Sequence, residues 1–123
     1  MNIQLNQKSD KPIYEQLKSE IIRLIMSKEM REGEPLLSMR ALAKDLGISV
    51  ITTKRAYKEL EDLGYINSVP GKGTFVAEGN QTMIREQSLK QLELKIKESI
   101  ELSRQLDIKR SEYDDIVEFL WEE

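Results

Sequence analysis

The sequence predicts a mainly α fold with a small β-hairpin, an α+β chain in which a compact domain over residues 10–79 precedes a two-helix segment over 80–123. Three observations carry this reading. Apolar residues recur at spacings of three and four from Tyr14 to Leu63, the period of helices with one buried face. Two short β-prone runs flank the turn residues Pro70-Gly71-Lys72-Gly73. After Gly79-Asn80 a second apolar stripe begins and keeps helical spacing far into the tail.

The first helix is expected to begin near Pro12, a residue suited to a first helical turn, with Asp10 ahead of it as the cap. Tyr14, Leu17, Ile21, Leu24 and Ile25 mark its inner face, and Gly33 and Pro35 end the region. A short second helix follows from Ser38, with Met39, Leu42, Ala43 and Leu46 inward. Gly47-Ile48-Ser49 reads as a tight turn in which Ser49 caps a third helix, ending near Leu63 before Gly64. Residues 65–69 and 74–76 form the hairpin strands. In the tail, residues 83–106 make a long helix with Leu89, Leu92, Ile96 and Ile100 on one stripe. Ser111 and Asp114 resemble a capping box opening a last helix that runs to about Trp121.

Composition narrows the functional classes. The 123 residues contain neither cysteine nor histidine, which removes disulfides, zinc fingers, thiol nucleophiles and imidazole bases. No metal site, cofactor or catalytic residue is expected. Paired carboxylates such as Asp114 and Asp115 sit at a helix start, where the helix dipole favours acids, so they need no enzymatic explanation. No apolar run is long enough for a membrane span, and Met1-Asn2-Ile3-Gln4-Leu5 lacks the pattern of a signal peptide, so cytoplasmic residence without membrane contact is expected. The net charge of −3 does not itself point to nucleic acid. Its distribution is less adverse: residues 1–79 carry 12 Lys/Arg against 11 Asp/Glu, whereas residues 80–123 carry 7 against 11.

Two helices joined by a short Gly-containing turn, then a hairpin, outline a winged helix-turn-helix, whose second helix of the pair enters a DNA major groove. With Thr53, Ala56, Leu60 and Leu63 assigned inward, the third helix leaves Val50, Ile51, Thr52, Lys54, Arg55 and Lys58 outward. Cations there suit phosphates or guanine edges, and aliphatic groups suit thymine methyls. The plainer reading of Lys54, Arg55 and Lys58 is a solvated helix face. Val50 and Ile51 tilt the balance towards a groove, because exposed β-branched residues at a helix start need a reason; their alternative is to tuck against the second helix. Gly71-Lys72-Gly73, a simple hairpin turn on the plainer reading, lets backbone approach a phosphate chain while Lys72 adds charge. A winged-helix module for protein–protein contact is the rival function.

In order and correctly spaced, the sequence contains Pro12-Ile13-Tyr14-Glu15-Gln16-Leu17, Leu37-Ser38-Met39-Arg40-Ala41-Leu42-Ala43, Gly47-Ile48-Ser49, Arg55-Ala56-Tyr57, Leu60-Glu61, Gly64-Tyr65-Ile66 and Gly71-Lys72-Gly73-Thr74-Phe75-Val76. Over residues 10–77 this resembles the GntR family of bacterial regulators, and the short tail resembles its YtrA-type subfamily. The resemblance implies that Arg40 contacts DNA from the second helix. It also implies that Ser49, Thr52 and Lys54 occupy the recognition-helix contact positions, and that Gly71 and Lys72 form a wing tip reaching the minor groove. Three residues depart from the pattern. Leu37 stands where proline is common, Glu29 where glycine is common, and Val50 where an arginine often follows the serine. Without that arginine, the half-site is expected to place thymine rather than guanine opposite the helix start.

In the tail, Leu89, Leu92, Ile96, Ile100, Phe119, Leu120 and Trp121 offer more apolar surface than so small an appendage buries on itself. Pairing with a second copy is favoured over folding back on the first domain. The expected protein is a transcription regulator, a repressor more than an activator, that binds double-stranded DNA at an inverted repeat as a homodimer. No small-molecule effector is identifiable from the residues.

Overall fold

A computed structural model describes residues 1–79 and 81–123. The elements run α1 (Ile13–Met26), α2 (Met39–Leu46), α3 (Val50–Asp62), β1 (Ile66–Val69), β2 (Gly73–Val76), α4 (Gln81–Gln105) and α5 (Arg110–Trp121). The mainly α class with one small hairpin is the one expected. The chain divides into two compact units, residues 1–85 and 86–123.

In the first unit, α1 lays Leu17, Ile21, Leu24 and Ile25 into a core shared with Leu42 of α2, Ala56, Tyr57 and Leu60 of α3, and Ile66 and Val76 of the hairpin. Ser38 and Ser49 cap α2 and α3 as expected: their hydroxyl oxygens accept from the backbone N–H of Ala41 and Thr52, both at 3.1 Å. Gly47, at φ +67°, ends α2 in the left-handed region and turns the chain towards Ser49.

The start of α1 differs from expectation. Pro12 itself occupies the cap position, and no side chain caps the helix. Asp10 is therefore not the cap. The preceding segment is held instead by Gln16, whose amide donates to the carbonyls of Asn6 and Lys11 while its own oxygen accepts from the N–H of Asn6.

β1 and β2 pair antiparallel with Ile66 opposite Val76 and Val69 opposite Gly73. The segment after α1 joins this sheet: Pro35 bridges Phe75, Leu36 N–H donates to Thr74 O at 2.8 Å, and Val76 N–H donates to Glu34 O at 2.8 Å. Residues 33–36 thus do more than end the first helical region; they anchor the base of the hairpin.

The expected boundary was Gly79-Asn80; Asn80 lies outside the described residues. The first unit continues to Arg85 because Ile84, on the first turn of α4, is 3% exposed and belongs to the core. In the second unit, α4 ends where Asp107 takes φ +54° and Ile108 N–H closes onto Ser103 O at 3.1 Å. Lys109 holds the cap position of α5 with no side-chain bond, so the expected cap from Ser111 is absent; Ser111 lies inside the helix. The hydroxyls of Ser99 and Tyr113 meet at 2.6 Å within this unit. No residue of α5 is buried. Among the described residues no helix is long and apolar enough to cross a membrane.

Candidate nucleic-acid interface

The seating of α3 begins with Thr53, which is fully buried. Its hydroxyl lies 2.9 Å from Val50 O and 3.1 Å from Met39 O, tying the first turn of α3 to the first turn of α2. Tyr57 adds a second tie, donating to Leu37 O at 2.7 Å just ahead of the Ser38 cap. Burial pushes its hydroxyl pKa well above the ordinary phenol range, so it stays a neutral donor. A third tie runs to the wing: the Glu61 carboxylate accepts from the N–H of Ser68 at 3.2 Å and from its hydroxyl at 3.1 Å. These bonds fix α2, α3 and β1 with respect to one another through backbone groups.

With Thr53, Ala56, Tyr57 and Leu60 inward, the opposite side of α3 carries Ile51, Lys54, Arg55 and Lys58, all exposed and three or four residues apart. The four are on one face, but they are not equivalent. Arg55 is engaged within the molecule: its guanidinium donates to Tyr14 Oη at 3.0 Å and to Glu59 Oε2 at 3.3 Å, and its carbon lies 3.7 Å from the Tyr14 ring centroid. Glu59 also receives Lys18 Nζ at 2.9 Å, and this bond, more than Arg55, holds the Glu59 carboxyl below its ordinary value. Lys58 pairs with Asp62 at 3.4 Å.

The side chain of Lys54 has no hydrogen bond or ion pair among the described residues, nor do those of Arg40, exposed in the first turn of α2, and Lys72. Sequence reasoning missed the distinction between engaged and free cations, because Tyr14 and Lys18 lie about forty positions before their partners.

At the start of α3, Ser49 and Thr52 are joined to each other, hydroxyl to hydroxyl at 2.7 Å, and Thr52 is half-buried rather than fully outward. Val50 is 38% exposed and Ile51 80% exposed, so the two aliphatic residues part company. In the wing, Gly71 and Gly73 have φ values of +75° and +117° with open space where a Cβ would be. Backbone conformation, not crowding, explains glycine at both. Lys72 between them is exposed. Among the described residues no three potential metal-ligating side chains cluster.

The model of the family described as bacterial regulatory proteins, gntR family, matches residues 13–76. The chain belongs to the GntR family. It is 40% identical to the HTH-type transcriptional repressor YtrA of Bacillus subtilis strain 168, over 73% of this chain and 75% of that protein. That likeness puts it with the YtrA-type subfamily of transcription regulators. Among solved structures, a transcriptional antiterminator from Listeria monocytogenes EGD-e superposes with a TM-score of 0.80 at 32% identity, covering 98% of this chain and 90% of that one. The DNA-binding domain of AraR in complex with operator ORE1 superposes with a TM-score of 0.53 at 30% identity, covering 63% of this chain and 94% of that one. The winged helix-turn-helix reading of the first unit agrees with these likenesses.

Proposed function

We propose that this GntR-family chain is a cytoplasmic repressor that binds an inverted-repeat operator as a homodimer. The carrying observation is the set of free cations: Arg40, Lys54 and Lys72 project from α2, α3 and the wing with no intramolecular partner among the described residues. In this docking, α3 lies in the major groove with Ser49, Val50, Ile51, Thr52, Lys54, Arg55 and Lys58 on or beside its groove face. Gly71, Lys72 and Gly73 follow the adjacent backbone. Arg55 and Lys58 add positive potential while keeping their intramolecular partners. The reading draws support from the repressor name of the Bacillus subtilis relative and from the operator complex of the AraR domain.

The tail over residues 80–123 supplies the dimer in this reading. Leu89, Leu92, Ile96, Phe119, Leu120 and Trp121 are all exposed, with Ile100 half-buried beside them. Joining two recognition helices matches the two-fold symmetry of an inverted repeat. Repression follows from occupancy of the operator alone, and no catalytic step is involved.

A salt titration against random duplex DNA tests the reading. Binding through several phosphates makes affinity fall steeply and log-linearly with salt. A winged-helix module for protein contact predicts no duplex binding at any salt concentration.

A further inference from the structure

We infer that Ile51 sets sequence preference at the start of the recognition helix by covering the C5 methyl of a thymine, and that Val50 does not. The inference rests on the DNA-binding reading above and narrows it to one side chain. Val50 and Ile51 are adjacent in sequence but differ in surroundings. Val50 is 38% exposed, less than half as open as Ile51, and its carbonyl accepts the hydroxyl of the buried Thr53. Ile51 is 80% exposed, more than any other Leu, Ile or Val among the described residues.

Nothing in the folded chain explains an isoleucine there. It belongs neither to the core nor to the half-buried residues packed against the core. A β-branched side chain in an exposed helical turn also costs helix propensity relative to alanine or leucine. Its neighbours on the same face are Lys54 and Arg55, one turn on, followed by Lys58. An apolar tip backed by three cations is poorly matched to a protein core or a lipid tail. It is well matched to a groove wall of phosphates around a methyl-bearing base edge.

The polar groups nearby reinforce the point. The Ser49 and Thr52 hydroxyls share one hydrogen bond and Ser49 also accepts from the Thr52 N–H, so the first turn presents at most a single hydroxyl donor ahead of Lys54. Guanine and adenine edges therefore find no bidentate partner at this position. Of the four bases, thymine alone offers an apolar group to the major groove.

The test uses the full chain and a duplex selected by it from a random library. Each thymine of one half-site is replaced in turn by uracil, which removes the methyl and leaves base pairing and backbone charge unchanged. At one thymine, uracil should weaken binding about fourfold, the value of one buried methyl-sized group. Ile51→Ala should bind the thymine and uracil duplexes equally, while Val50→Ala should retain the fourfold difference. Equal binding of every uracil duplex by the unmodified chain overturns the proposal, as does discrimination that survives Ile51→Ala or vanishes in Val50→Ala. Failure of the library to yield any preferred sequence is a different result: it overturns sequence-specific binding itself, and the proposal with it.

Discussion

The guanidinium carbon of Arg55 lies over the Tyr14 ring, 3.7 Å from its centroid, and the guanidinium donates to the Tyr14 hydroxyl at 3.0 Å. This contact joins the first turn of α1 to the middle of the recognition helix. Lys18 and Glu59 make a parallel link one helical turn away. The recognition helix is thus buttressed from outside the core by one cation–π contact and a three-membered ion network.

Arg55→Ala is expected to destabilise the first unit by about 1 kcal/mol, the usual worth of an exposed cation–π contact with its associated hydrogen bond. Lysine at this position should recover only part of the loss, because an ammonium lacks the planar fork that meets both ring and hydroxyl. Thermal unfolding of the three proteins checks this. A basic residue whose role is phosphate contact alone would leave stability unchanged and lower only the salt slope of DNA binding.

Glu59 carries the pH signature of the same network. The Lys18 hydrogen bond, assisted by Arg55, lowers its folded-state pKa below the unfolded value. A depressed carboxylate contributes stability that is present above the unfolded pKa, about 4.3, and is lost as pH falls through the folded pKa. The melting-temperature gap between the natural protein and Glu59→Gln should therefore be full at neutral pH and close on acidification below about pH 4. Raising the salt concentration at neutral pH should narrow the same gap, since these side chains are partly exposed.

Thr53 tests the angle between α2 and α3. Thr53→Val keeps the shape of a fully buried side chain but removes the hydroxyl shared by Met39 O and Val50 O. The expected cost is about 1 kcal/mol by chemical denaturation. Protection from hydrogen exchange should fall in the first turns of α2 and α3 before it falls in α1.

Much of this architecture was legible in the sequence because it is encoded over short distances. Ser38 and Ser49 cap helices through amides three residues on, and Gly47 supplies the left-handed turn between them. The solvent side of α3 was readable once its apolar positions were assigned inward. Asp10 was misread because Pro12 takes the cap position and Gln16 holds the chain ahead of it, a side-chain device with no simple sequence pattern. Ser111 was misread because the cap position of α5 falls two residues earlier, at Lys109, straight from the turn made by Asp107. Ile84 falls within the long helix expected over residues 83–106 of the tail, yet it is buried with α1 and the hairpin; periodicity does not say which body a helical turn packs against. The engagement of Arg55 was illegible for the same reason, since its partner Tyr14 is 41 positions away.

The burial of Ile84 also decides how dimerisation should be tested. Cutting the chain after residue 79 removes a core side chain, so loss of the dimer in that truncation would be confounded by damage to the first unit. Substitutions on the exposed tail avoid the difficulty. Phe119 and Trp121 are 71% and 85% exposed, and no residue of α5 is buried, so replacing both with serine removes nothing from a core. If a second copy covers them, burial of each such ring is worth about 1.5–3 kcal/mol, and losing both from each protomer exceeds what a micromolar dimer of this size can spare. Sedimentation should report twice the chain mass of 14.3 kDa for the natural protein and the single mass for Phe119→Ser/Trp121→Ser, with helical content retained by circular dichroism. Operator binding should weaken in parallel, because two half-sites are no longer engaged together. A folded double variant that still sediments at twice the chain mass would move the interface away from this end of α5, towards the Leu89, Leu92 and Ile96 stripe of α4.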